Sequence, residues 1–102
     1  MSKQSSNDLI LEVFERGLDS LGESPKKAIW YILKEQFKID VNENPINVKK
    51  MTEALEKIFG LGYTFLETIL LQKLVDLTGK TYPQKSFLES VESLMVEAEP
   101  IG

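Results

Sequence analysis

The segment DVNENP, residues 40 to 45, is where this sequence comes closest to chemistry. Asp40, Asn42 and Asn44 put side-chain oxygens at alternate positions, the spacing with which a helix–loop–helix calcium site presents its first ligands. With Asp40 as position 1, such a site needs a glycine at position 6 and a bidentate glutamate at position 12. Those places hold Pro45 and Met51. Proline fixes φ at about −65° and cannot make the glycine turn, and a thioether is a poor ligand for a hard cation. What remains is Asp40, Asn42, Glu43 and Asn44 with the loop carbonyls, a set that could hold calcium weakly at the rim of a helix. The competing reading needs no ion. Asn44-Pro45 or Asn47-Val48 opens a helix, with asparagine accepting from free N–H groups of the first turn.

Two charged stripes are the next candidates. Asp8, Glu12, Glu15 and Asp19 recur at helical spacing and project from one face. Like charges so placed repel, and Asp19 lies near the negative end of its helix. A cation or a basic partner would relieve the strain; a solvated face that keeps the chain soluble is the plainer account. The following segment carries the opposite pattern, with Lys27, Tyr31, Lys34 and Lys38 on one face and Trp30 beside them. Trp30, Tyr31, Lys27 and Lys34 are therefore the candidate partner contacts, since aromatic area anchors interfaces. Lysine stems lying along a tyrosine ring would look the same without a partner. Lys49, Lys50 and Lys57, interleaved with Glu53 and Glu56, read as ordinary helix surface. Gly60-Leu61-Gly62 lacks the strand and the Gly-Lys-Ser/Thr of a phosphate loop and reads as a helix stop.

Composition narrows the function classes. The chain has 102 residues, 42% apolar and 27% charged, with net charge −4. That is enough chain for one modest core. An acidic balance argues against general nucleic-acid binding, and Arg16 is the single arginine among twelve cationic residues, a poor supply of bidentate phosphate ligands. There is no cysteine and no histidine. Disulfides, thiolate chemistry, the commonest general base and the commonest zinc ligand are thereby removed. No pair of groups suggests an acid–base site, so no enzyme is expected. The N-terminus lacks a signal peptide's apolar core, and runs such as Ile69-Leu70-Leu71 are too short to span a bilayer. A cytoplasmic protein is the resulting expectation, with no membrane role.

The elements that must position these residues are all helical. Five segments have apolar residues recurring every 3.6 positions, and none alternates with period two. Residues 7 to 21 carry Leu9, Ile10, Val13, Phe14, Leu18 and Leu21 on one face, with Gly22 as a stop. Ser24 as N-cap and Pro25 as first helical residue open the second helix, which buries Ile29, Ile32, Leu33 and Phe37 and ends near Phe37 or Lys38. The third begins at Pro45 or Val48 and ends at Phe59, burying Val48, Met51, Leu55, Ile58 and Phe59. Gly60 suits a left-handed C′ position, and Leu61 can pack back on the last turn. The fourth, 63 to 78, is apolar almost all round: Tyr63, Leu66, Leu70, Leu74 and Leu77 form its main stripe, widened by Phe65, Ile69, Leu71 and Val75. Gly79 stops it. Ser86 and Glu89 form a capping box for the fifth, whose stripe is Phe87, Leu88, Val91, Leu94, Met95 and Ala98. The expectation is an all-α, compact single-domain bundle over 1–102, five helices around a central apolar fourth, with flexible ends at 1–6 and 99–102.

The stretches LGESPKKAIWYIL and NPINVKKMTEALEKIFGLGYTFLETIL, and the tyrosine-containing linker before the last helix, resemble a small archaeal helical family of uncharacterised function. Similar segments look like output modules of archaeal signalling chains. The match runs over residues 18 to 98 and rests on caps and core positions, so it implies a fold and lends no catalytic residues. Together these readings give a non-catalytic protein-interaction or regulatory module, monomeric or homodimeric, with weak calcium binding as the alternative.

Overall fold

The computed structural model describes residues 6–40, 46–83 and 85–98, and every regular element in them is helical. The ends expected to be flexible, and Asn42 to Pro45, lie outside the described residues, apart from Ser6. The elements are α1 (Ser6–Asp19), α2 (Glu23–Phe37), α3 (Val48–Phe59), α4 (Tyr63–Thr78) and α5 (Phe87–Ala98). A single 3-10 turn, Gly60–Gly62, joins α3 to α4 with no coil between. Val48–Thr78 is thus one helical segment of 31 residues, and the described residues form four helical segments, with α3 and α4 as the two arms of one, where five separate helices were expected. By length and composition alone this segment would be long and apolar enough to cross a membrane, which the short apolar runs did not suggest. In the fold it is bent at Gly60 (φ 58°, ψ −130°), a backbone shape that favours glycine, and it contributes Met51, Leu55, Leu66, Leu70 and Leu74 to the core.

Most element boundaries have a local cause. Asn47 caps α3, its side chain accepting from the N–H of Lys50 at 3.0 Å. Gly79, at φ 72°, ends α4 in the left-handed conformation, and its N–H donates to the Val75 carbonyl at 2.7 Å. Ser86 and Glu89 close the expected capping box: the Ser86 N–H donates to Glu89 Oε1 at 3.0 Å, and the Glu89 N–H to Ser86 Oγ at 3.1 Å. The start of α2 differs from expectation. α2 begins at Glu23, so Ser24 is not its cap and Pro25 sits at the third helical position, where a missing N–H is still harmless. The connection from α1 is too short to leave Ser24 outside, and Gly22, at φ 103°, makes the corner. α2 stops at Phe37, where the sequence placed its end, with Lys38 as C-cap in the left-handed conformation (φ 56°), and both Lys38 and Ile39 donate to the Leu33 carbonyl. That bend tucks Ile39 into the core.

One apolar cluster draws on all five helices. α1 supplies Ile10, Val13, Phe14 and Leu18, and lies most extensively along α4. Gly17 permits that approach: a β-carbon there would stand 2.5 Å from Cδ2 of Leu70. Phe14 meets Phe87 of α5 edge to face, with ring centroids 5.4 Å apart. The fourth helix is not the enclosed hub that its composition predicts. It buries Tyr63, Leu66, Leu70 and Leu74, while Phe65 stays 69% exposed. Leu71 and Leu77 pack against the rim of the core, and Ile69 and Val75 are half-buried, so of the apolar residues that widen the stripe Phe65 is the one left in water.

Candidate functional site

The acidic stripe of α1 is met from within the chain. Arg16 Nη2 donates to Glu12 Oε2 at 2.6 Å, one turn away. Lys26, at the start of α2, reaches across to Glu15 Oε2 at 3.0 Å and Asp19 Oδ1 at 2.8 Å. The hydrogen bonds it donates to Asp19 and then Glu15 hold the Lys26 ammonium above its ordinary range. The stripe is a partly neutralised helix–helix contact, exposed enough that its energetic weight is small.

The candidate partner residues of α2 are not one surface. Lys27, Tyr31 and Lys34 are exposed, Tyr31 by 67%, and Lys27 pairs only loosely with Glu23 at 3.5 Å. Trp30 turns away and packs against the core, its indole N–H buried without a partner among the described residues. Of the calcium candidates, Asn42, Glu43 and Asn44 lie outside the described residues, and Asp40 is exposed just after α2. Among the described residues no three acidic side chains gather closely enough to hold one metal ion. At the loop's far end Asn47 is a helix cap, as the ion-free reading requires, and Ile46 is buried.

Two features emerge that residue patterns did not single out. The first is the elbow between α3 and α4. Leu61 is 100% exposed, so it does not pack back on α3 as expected, and Phe65 stands out four residues further on. No side chain from residue 58 to residue 66 is charged. Thr68 turns its hydroxyl back to the Thr64 carbonyl at 3.1 Å, extending the uncharged face along α4. Only 17% of an 18-residue apolar window in this segment is buried, which leaves the elbow as surplus apolar surface.

The second is a cleft of about 330 Å³ where α3, α4 and the start of α5 converge, lined by Thr52, Glu53, Glu56, Tyr63, Thr64, Glu67, Ser86 and Leu88. Glu67 Oε2 accepts from the Phe87 N–H at 3.0 Å, a carboxylate at a helix N-terminus that ties α4 to α5. Tyr63 is 9% exposed. Burial, then the charges of Glu67 and Glu56, push the phenol well above its ordinary value. It therefore stays protonated, able to donate and to accept. Periodicity assigned Tyr63 to the core and the glutamates to plain surface. The available signal was two pairs at helical spacing, Glu53 with Glu56 and Tyr63 with Glu67, on either side of a glycine turn that folds them toward each other.

Compared with known proteins, the chain matches no family model, no curated protein and no solved structure.

Proposed function

We propose that this chain is a non-catalytic protein-interaction module of the cytoplasm that docks through its α3–α4 elbow. The observation that carries the reading is Leu61, fully exposed beside a largely exposed Phe65 on a turn without charge. Large apolar side chains at a helix junction serve as anchors when a partner supplies pockets for them. The partner's matching surface is an apolar groove between helices, because two knobs four residues apart fit the spacing of such grooves. Gly60 and Gly62 add nothing beyond hydrogen at the tip, so a partner backbone can approach closely. The resemblance to output-type domains points the same way. The test is quantitative capture from extract of the native cells, with wild-type chain against Leu61→Ser/Phe65→Ser. Proteins enriched by the wild type and lost with the double variant support the reading. An identical set from both overturns it.

A further inference from the structure

We infer that Gly60 is a hinge at which Val48–Thr78 straightens into one continuous helix, exchanging α4 and α5 with a second copy of the chain in a domain-swapped dimer. The inference goes beyond docking at the elbow and stands without it.

The bend is not made by a loop. Helical structure runs unbroken from Val48 to Thr78, with only the 3-10 turn Gly60–Gly62 between α3 and α4. A straight helix of 31 residues would be about 46 Å long, more than the molecule's longest dimension of 40 Å. The closed fold therefore requires the bend, and the bend falls on one residue. Gly60 (φ 58°, ψ −130°) leaves the helical region, while Phe59, Gly62 and Tyr63 keep right-handed helical angles. The Tyr63 N–H donates to the Gly60 carbonyl three residues back, where a continuous α-helix would use Phe59 four back. Rotation at a single position thus separates the bent segment from a straight one, as at a hinge.

No side contact pins the turn. A β-carbon at Gly60 or Gly62 would meet no atom within 4 Å. The bend is held instead by what its arms bury together: Met51 and Leu55 from α3, Leu66, Leu70 and Leu74 from α4.

Straightening divides that core along the chain, with α1, α2 and α3 before the hinge and α4 and α5 after it. The most extensive helix pair, α1 with α4, crosses the divide. So do the Phe14–Phe87 ring contact and the close approach of Gly17 to Leu70. An opened single chain would leave Phe14, Leu18, Leu70 and Phe87 in water, all of them fully buried in the bent form. A second opened copy presents the same surfaces, so each half-core closes on the other chain through the contacts of the closed fold. That requirement names the partner, because the surface that fits α1 is α4 of this chain.

The hinge side chains add a seam that the bent form lacks. In a continuous helix Ile58, Leu61 and Phe65 stand at i, i+3 and i+7, on one stripe. Two-fold symmetry carries the two straightened helices past one another near their midpoints, where these stripes lie. Leu61 is fully exposed and Phe65 largely exposed in the bent form, and no charged side chain from residue 58 to residue 66 opposes their contact.

The test compares the full-length wild type with Gly60→Ala. Alanine disfavours the positive φ and favours the helix, so it moves the balance toward the straight form. Analytical ultracentrifugation reads the oligomeric state. Isotope-filtered NOE spectra of material refolded from mixed labelled and unlabelled chains read which contacts join two chains. The inference predicts a Gly60→Ala dimer with a dissociation constant about tenfold or more below that of wild type. Its Phe14–Phe87 and Gly17–Leu70 contacts should run between chains. Wild type refolded from urea at millimolar concentration should show the same interchain contacts in a dimer fraction, a readout that serves even where Gly60→Ala does not fold. A folded Gly60→Ala that stays monomeric at millimolar concentration, dimers that keep both contacts within one chain, or wild type refolded at that concentration without dimer would each overturn it.

Discussion

Gly17→Ala is the sharpest probe of how α1 and α4 meet. A β-carbon at position 17 would lie 2.5 Å from Leu70 Cδ2, and Leu70 is fully buried, so its methyl has no free space to enter. Overpacking of this kind costs about 1–3 kcal/mol. Alanine returns about 1 kcal/mol through its higher helix propensity. The net expectation is a loss of about 0–2 kcal/mol, although glycine-to-alanine in an unobstructed helix would stabilise. Leu70→Ala alone leaves a cavity and costs about 2–5 kcal/mol. In that background the obstructing methyl is gone, and Gly17→Ala should then stabilise by about 1 kcal/mol. The assay is urea unfolding of wild type, both single variants and the double variant by far-ultraviolet circular dichroism. The reasoning predicts a change of sign or a coupling of about 1–3 kcal/mol between the two positions. Equal effects of Gly17→Ala in both backgrounds would refute it.

Further outcomes follow from single groups. Ser90 is fully buried in α5 with its hydroxyl unpartnered among the described residues, so Ser90→Ala should stabilise by about 0.5–1.5 kcal/mol in the same unfolding assay, and a loss would contradict the assignment. Asn47→Ala removes the cap of α3 and should cost about 1 kcal/mol, whereas Asn47→Asp should retain most of it. Glu89 is held below its ordinary 4.5 by hydrogen bonds from Ser86. A carboxylate with a depressed folded-state pKa contributes stability that is complete above its unfolded value and is lost as pH falls through the folded one. Acid titration of stability should therefore show a component below about pH 4.5 that Glu89→Gln lacks.

Helix placement was readable because caps and stripes are local signals. The asparagine at 47, the Ser86–Glu89 box and the glycine at 79 each act within one turn, and each forms as the sequence indicates. The all-α class and the core positions Ile10, Val13, Phe14, Leu18, Leu33, Met51, Leu55 and Leu70 follow from periodicity in the same way. The misses all depend on what lies across space. Ile39 and Ile46 are core residues standing alone in polar sequence, without a period to announce them. Gly17 looks like an ordinary helix interruption until Leu70 is placed against it. The fourth helix is apolar on several sides, but composition does not say how many sides are covered, and Phe65 remains in water. Tyr63 belongs to a core stripe and to a cleft at once, a double position that appears only when Glu56 and Glu67 are brought beside it.

The central claim is that the fold leaves the Leu61–Phe65 elbow over for a partner. Quantitative capture with Leu61→Ser/Phe65→Ser, combined with urea unfolding of the same variant, tests it most directly. The account predicts lost capture with stability unchanged to within about 0.5 kcal/mol, as for exposed positions generally. Retained capture, or a loss of more than about 2 kcal/mol showing that the elbow holds the fold together, would contradict it.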